Sequence, residues 1–146
     1  VSGSLSGENY RIVFPEAGPR VWVAQAKTLR ADSDQRTLTL LGVACELYQA
    51  GRPVLTVTAE RGQAQLVDRQ ATVTLSGQVV ATQAGRGTRL EAEQFVWDSS
   101  AARIQATRVR WQGAGLVHQA TRGTFNTALT RAAFTGQVQT AVGDAP

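Results

Sequence analysis

The clearest alternation in this chain runs from residue 71 to residue 82. Ala71, Val73, Leu75, Gly77, Val79 and Ala81 share one phase, and Thr72, Thr74, Ser76, Gln78 and Thr82 share the other. Val80 is the apolar exception in the polar phase. Successive side chains of a strand point to opposite faces, so this spacing predicts a half-buried β-strand. The same period of two recurs in Leu55-Val57-Ala59 against Thr56-Thr58-Glu60. Leu90-Ala92 against Arg89-Glu91-Glu93 repeats it, as does Ile104-Ala106 against Arg103-Gln105-Thr107. Turn-forming clusters separate the runs: Asp32-Ser33-Asp34, 49–53, 67–70, 84–87, Asp98-Ser99-Ser100 and Gly113-Ala114-Gly115. Turn signals spaced about a dozen residues apart predict an all-β chain. No segment carries a 3.6-residue period with caps, and Pro15-Glu16-Ala17-Gly18-Pro19 breaks structure.

A second pattern lies over the first. Ala26 precedes Gly42-Val43, Ala59 precedes Gly77-Gln78-Val79, and Ala120 precedes Gly136-Gln137-Val138. Ala92 precedes Ala106 in a weaker copy without the Gly. Ala59-Glu60-Arg61-Gly62 echoes Ala120-Thr121-Arg122-Gly123. Internal recurrence of this kind predicts stacked supersecondary units, here hairpins. Gly inside a strand packs nothing and marks a bend or a close approach. A stack of bent hairpins encloses an apolar trough, which Leu55, Val57, Val73, Leu75, Val79, Leu90, Ile104, Phe134 and Val138 would line. The same residues would serve a dry sandwich core, and the pattern leaves both open.

At 146 residues the chain is one domain, large enough for a core without disulfides. Residues 1–9 are Ser/Gly-rich and are expected to be mobile, with the domain over 10–140 and a tail at 141–146. No apolar run approaches the ~18 residues of a membrane-spanning helix. The chain opens at Val1 and contains no Met, as it would after loss of a signal peptide or anchor. The first hundred residues balance ten Lys/Arg against ten Asp/Glu. Arg103, Arg108, Arg110, Arg122 and Arg131 then face Asp144 alone, so the last third carries the net charge of +4. Such asymmetry attracts nucleic acid, phosphorylated lipid or an acidic protein face, or it is simply a solvated strand face.

Candidate catalytic chemistry is sparse. The one His, His118, has no Cys or His company for a metal and reads as an ordinary strand residue. Cys45 follows Val43-Ala44 and reads as a small core hydrophobe. Glu91 and Glu93 fall on a polar strand face, where solvent exposure is a better account than an acid/base dyad. Trp22, Trp97 and Trp111 would suit stacking platforms for nucleic acid, but packing in a core or groove accounts for them better. Neither an enzyme, a cofactor, a metal site nor a nucleic-acid partner is expected.

The run Arg20-Val21-Trp22-Val23-Ala24-Gln25-Ala26 opens a longer match. Val54-Leu55-Thr56-Val57-Thr58-Ala59-Glu60-Arg61-Gly62-Gln63-Ala64, Asp68 and Leu75-Ser76-Gly77-Gln78-Val79 follow. Gly113-Ala114-Gly115-Leu116, Ala120 and Gly136-Gln137-Val138 complete it. In order and spacing these resemble the periplasmic domain of the LptC family, in the OstA-like superfamily, across residues 10–140. The resemblance implies an all-β, bent antiparallel β-jellyroll, or β-taco, with open edges. It implies a periplasmic role in lipopolysaccharide export, with an inner-membrane anchor helix outside this chain. The protein would take lipopolysaccharide from an ABC transporter and pass it to LptA.

On that reading the nine apolar positions form a lipid groove, and Arg108, Arg110, Arg122 and Arg131 meet phosphate at its rim. Ile12, Val13, Val21 and Val23 mark a first edge facing the periplasmic domains of LptF and LptG. Gln137, Val138 and Gln139 mark a last edge facing an LptA-like β-jellyroll. Ala106, in place of Gly, departs from a uniform bend. An LptA-like soluble bridge, a glycan-binding β module and a solenoid that self-associates end to end are the alternatives.

Overall fold

In the computed structural model, ten antiparallel strands form one sheet; residues 4–15, 20–32, 36–67, 70–85, 87–113, 115–126 and 131–142 are described. The strands are β1 (Ser4–Pro15), β2 (Arg20–Asp32), β3 (Thr37–Gln49), β4 (Arg52–Val67) and β5 (Gln70–Gln83). They continue as β6 (Arg89–Asp98), β7 (Arg103–Gly113), β8 (Leu116–Asn126), β9 (Ala132–Thr135) and β10 (Gln139–Val142). From β1 to β8 each strand pairs with the next. Both β9 and β10 pair with β8, at 122–125 and at 116–119, so they form one edge strand interrupted at Gly136-Gln137-Val138. The breaker expected at 15–19 and the turns expected at 32–34, 67–70, 84–87 and 113–115 fall partly outside the described residues, as do both chain ends.

The first strand starts at Ser4, inside the segment expected to be mobile, and β10 runs to Val142, inside the expected tail. Pairing accounts for both. Ser4 to Glu8 lie opposite Asp32 to Thr28, and Ala141 lies opposite Val117. Strand formation depends on the neighbour that completes the ladder more than on local composition.

The alternation slips by one residue near the middle of every even-numbered strand from β2 to β8. The inward phase steps from Ala26 to Leu29, Ala59 to Gly62, Ala92 to Phe95 and Ala120 to Gly123. Two outward neighbours follow each Ala: Lys27-Thr28, Glu60-Arg61, Glu93-Gln94 and Thr121-Arg122. In the intervening strands the backbone turns left-handed just before a Val. Gly42 (φ 63°) precedes Val43, Gln78 (φ 48°) precedes Val79, and Arg108 (φ 53°) precedes Val109. Gln137 (φ 48°) precedes Val138 at the interruption between β9 and β10. Pairing puts these positions in register: Ala26 with Val43, Val43 with Ala59, Val79 with Ala92, and Val109 with Ala120. The sheet folds along that line.

The third bend therefore lies at Arg108, not at Ala106 as the repeat had suggested. Ala106 faces inward between Phe95 and Gly123. What defines the bend residue is its seat beneath the first polar residue after each Ala. A Cβ on Gly77 would come within 2.8 Å of Glu60, and one on Gly42 or Gly136 equally close to Lys27 or Thr121. At the third bend Arg108 instead reaches out to Glu93, with Nη1 donating to Oε1 at 2.9 Å. An L-residue in left-handed backbone costs about 1–2 kcal/mol.

Each side of the bend line is an arm. The first arm carries the inward row Ala24, Cys45, Val57, Ala81, Leu90, Trp111, His118 and Thr140. The second carries Leu40, Gly62, Leu75, Phe95, Ala106, Gly123 and Phe134, and beyond it Leu38, Ala64, Val73, Trp97, Ile104 and Phe125. Apolar residues of both arms join in one buried cluster, which a flat sheet would not allow. In the row from Leu40 to Phe134, Gly62, Ala106 and Gly123 leave room beside Leu75, Phe95 and Phe134, as close packing requires.

Candidate functional site

The space between the arms is apolar and almost filled. Leu55, Val57, Val73, Leu75, Val79, Leu90 and Ile104, seven of the nine positions expected in a groove, are inward and buried. Phe134 is inward but half-buried, and Val138 at the last bend is 47% exposed because no further strand covers it. Between the arms lies a void of about 30 Å³, lined only by Trp22, Ala24, Leu40, Cys45, Val57, Val73, Leu75, Phe95, Trp97 and Ile104. It is roughly the share of one water molecule, about 30 Å³. Burial pushes the Cys45 thiol up to about 12, so it stays neutral there.

Aromatic rings hold the arms together. Trp22 of β2 and Trp97 of β6 sit with centroids 5.5 Å apart, at 58°. Their strands are not neighbours in the sheet, so this contact crosses the trough. Toward the C-terminal end Trp111 stacks on Phe125 at 5.4 Å and 8°. Phe134 meets Trp111 and Phe125 edge-on and lies against the His118 ring at 5.3 Å. Offset-stacked and edge-to-face pairs each contribute about 0.5–1.5 kcal/mol beyond their burial. His118 Nδ1 lies 2.8 Å from Thr140 Oγ1, its neighbour across the β8–β10 ladder.

The arms are offset along the axis. Around the void, residues of β2 to β4 on the first arm oppose Leu40 of β3 and residues of β5 to β7 on the second. The first arm consequently overhangs at the C-terminal end, where Leu116 and Val142 are 38% and 82% exposed. These inward positions lack an opposite wall. The trough is closed in its middle and open at that mouth.

The charged candidates divide. Arg108 is tied to Glu93 on the outer side of the bend. Arg110 and Arg122 are exposed on the same outer face, since Val109, Trp111 and Gly123 take the inward positions beside them. Of the four expected at the rim, only Arg131 lies there. It borders a cleft of about 280 Å³ together with Arg103, which the sequence reading did not select. Glu91 and Glu93 bind Arg89 and Arg108 separately, so they form no dyad. Among the described residues no group of three His, Cys, Asp or Glu side chains is placed to hold a metal.

The edge candidates divide too. Ile12 and Val13 lie on the edge strand β1, but Val21 and Val23 do not lie at an edge. They sit on β2, paired to β1 on one side and β3 on the other. The full-length pairing of residues 4–15 moves the edge one strand outward. Gln137 and Val138 fall at the interruption of the last edge strand, and Gln139 opens β10. The sequence reading placed Trp22 and Trp97 in a core or groove but left Leu40, Phe95 and Phe125 out of the trough lining. For Phe95 and Phe125 the signal was the Ala-polar-polar spacing that shifts the inward phase by one residue.

Comparison with known proteins agrees with this architecture. The family described as "Lipopolysaccharide-assembly, LptC-related" matches residues 5–142. Among solved structures the chain is similar to LptH of Pseudomonas aeruginosa, described as the LptA homologous periplasmic component of the conserved lipopolysaccharide transport device. That match has a TM-score of 0.69 at 11% identity, covering 84% of this chain and 95% of the other, and it establishes a shared β-jellyroll fold. No curated protein matches the chain. With nearly its whole length matched, the chain belongs to the LptC-related lipopolysaccharide-assembly family, whose members are transport components and not enzymes.

Proposed function

We propose that the trough carries the acyl chains of lipopolysaccharide through the periplasm, and that the arms part to admit them. The observation that carries this reading is an apolar interior shared by both arms and running from β2 to β8. Burying one CH₂ stabilises by ~0.8 kcal/mol, so a chain of a dozen carbons costs on the order of 10 kcal/mol to expose. A groove removes that cost while sugars and phosphates stay in water. The void of about 30 Å³ is far below what a chain of a dozen carbons occupies. Loading therefore requires separation of the Trp22–Trp97 contact.

The LptC-type role supplies the setting. An N-terminal inner-membrane helix would hold the domain beside the transporter. The β1 edge would meet the periplasmic domains of LptF and LptG, and the β9–β10 edge an LptA-like β-jellyroll. Edge strands with unpaired backbone groups suit such additions. A photo-crosslinker at Leu75, inside the trough, is expected to capture lipopolysaccharide during ATP-driven transport. Thr74 is the outward control beside it. Equal capture at both positions would refute a lipid trough.

A further inference from the structure

We propose that the cleft at the tip of the second arm, where β7, β8 and β9 meet, binds phosphate groups of the lipid whose chains fill the trough. This rests on the trough reading above and adds to it a site for the headgroup. The cleft holds about 280 Å³ and is bordered by Arg103, Arg131, Asn126, Thr124 and Phe125, with alanines completing it. Its two charged side chains are both arginines.

Arg89 and Arg108 each pair with a glutamate, whereas Arg103 and Arg131 form no ion pair among the described residues. Arg103 does lie opposite Asp98 across the β6–β7 ladder. That carboxylate is already engaged: its Oδ1 accepts from Ser100 N at 2.9 Å and from Ser100 Oγ at 2.8 Å. The Asp98 carboxyl is held below its usual range chiefly by these two bonds, with Arg103 the smallest contributor. Arginine presents a planar fork that matches phosphate oxygens two at a time.

The backbone of the cleft is fixed. Asn126 Oδ1 accepts from Arg131 N at 2.7 Å, and Asn126 N donates to Arg131 O at 3.3 Å. Arg103 is paired with Asn126 across β7 and β8, so the two arginines flank one residue. Phe125 joins cleft to trough. It borders the former and, at 1% exposure, belongs to the core of the latter. An acyl chain reaching Phe125 therefore ends beside two guanidinium groups that form no ion pair among the described residues. Arg110 and Arg122, on the outer face of the bend, have no such route.

The test is direct binding of two probes to the purified chain: bisphosphorylated hexa-acyl lipid A, and the same lipid with both phosphates removed. The unmodified protein is expected to prefer the phosphorylated lipid by about tenfold or more, the order expected of charge-assisted hydrogen bonds. Arg103→Gln with Arg131→Gln is expected to abolish that preference and leave affinity for the dephosphorylated lipid unchanged. Arg110→Gln with Arg122→Gln is expected to retain it. A preference that survives loss of Arg103 and Arg131 overturns the cleft and leaves the trough standing. Failure of the unmodified protein to bind either lipid overturns the trough and the cleft together. Inorganic phosphate that binds as tightly as the lipid phosphates overturns the assignment to a lipid headgroup.

Discussion

Replacing Trp22 by Ala removes one side of the contact that crosses the trough, and Cys45 offers a way to read the result. Cys45 borders the same void, and its pKa of about 12 leaves only about one thiol in ten thousand ionised at pH 8. An ordinary thiol with a pKa of about 8.5 would be roughly a quarter ionised at that pH. Ionisation alone slows labelling by about two-thousand-fold, and burial slows it further, so modification proceeds through opening. Trp→Ala in a core costs about 3–5 kcal/mol. If about 3 kcal/mol of that holds the arms closed, the open population rises roughly a hundredfold, at 1.4 kcal/mol per factor of ten.

The assay is the labelling rate of Cys45 by a small aromatic disulfide, measured against urea concentration. Opening of the arms exposes less surface than global unfolding, so its rate should depend more weakly on urea. Leu90→Ala is the control, a fully buried core truncation that removes neither partner of a ring contact across the trough and does not border the void, at a cost of about 2–5 kcal/mol. Trp22→Ala should accelerate labelling about a hundredfold with a shallow urea slope, and Leu90→Ala should act only through global unfolding. The same acceleration and the same steep slope in both variants would refute independent opening of the arms. Labelling of the unmodified protein at the rate of a free thiol would refute closure.

At the third bend, Arg108→Gly should raise stability slightly or leave it level. It relieves about 1–2 kcal/mol of left-handed strain, offset by about 0.5–1 kcal/mol of added chain entropy and by the small worth of an exposed ion pair. Arg108→Val should be the less stable by about 2 kcal/mol; urea midpoints that fail to rank Gly above Val would contradict the assignment. Asp98 is held ionised by Ser100, so its contribution is present above the ordinary carboxyl value and is lost as pH falls through the lowered folded value, below about pH 4. Ser100→Ala should move the Asp98 titration, followed by carboxyl NMR, upward; no movement would contradict the turn geometry.

The sequence displayed its strands and most of its interior because the period of two survives within each arm. Leu55, Val57, Val73, Leu75, Val79, Leu90 and Ile104 were legible on that ground. The Gly positions were less reliable guides. Arg108 adopts the same left-handed backbone as Gly42, Gln78 and Gln137 at the other bends, with no glycine beside it to reveal the bend. A search for phase, rather than for glycine, would have found it. Val21 and Val23 were misplaced because the composition of residues 1–9 hid a strand that only its partner stabilises. The rim arginines were misassigned because alternation sorts inside from outside, but not the mouth of a folded sheet from its spine. Distances across the trough, such as Trp22 to Trp97, depend on the tilt of the arms and have no local signal.

The inward rows cross the sheet at one residue per strand, and strands lie about 4.8 Å apart. A hydrocarbon advancing along the axis by one strand exchanges aliphatic neighbours for other aliphatic neighbours, as from Val57 to Ala81 to Leu90. Such a path offers no deep resting place and no downhill gradient through its middle. Only near the end does the row change character, to Trp111, His118 and Thr140. With the arms parted, such a track would favour neither direction. Direction would have to come from a push at one end or capture at the other.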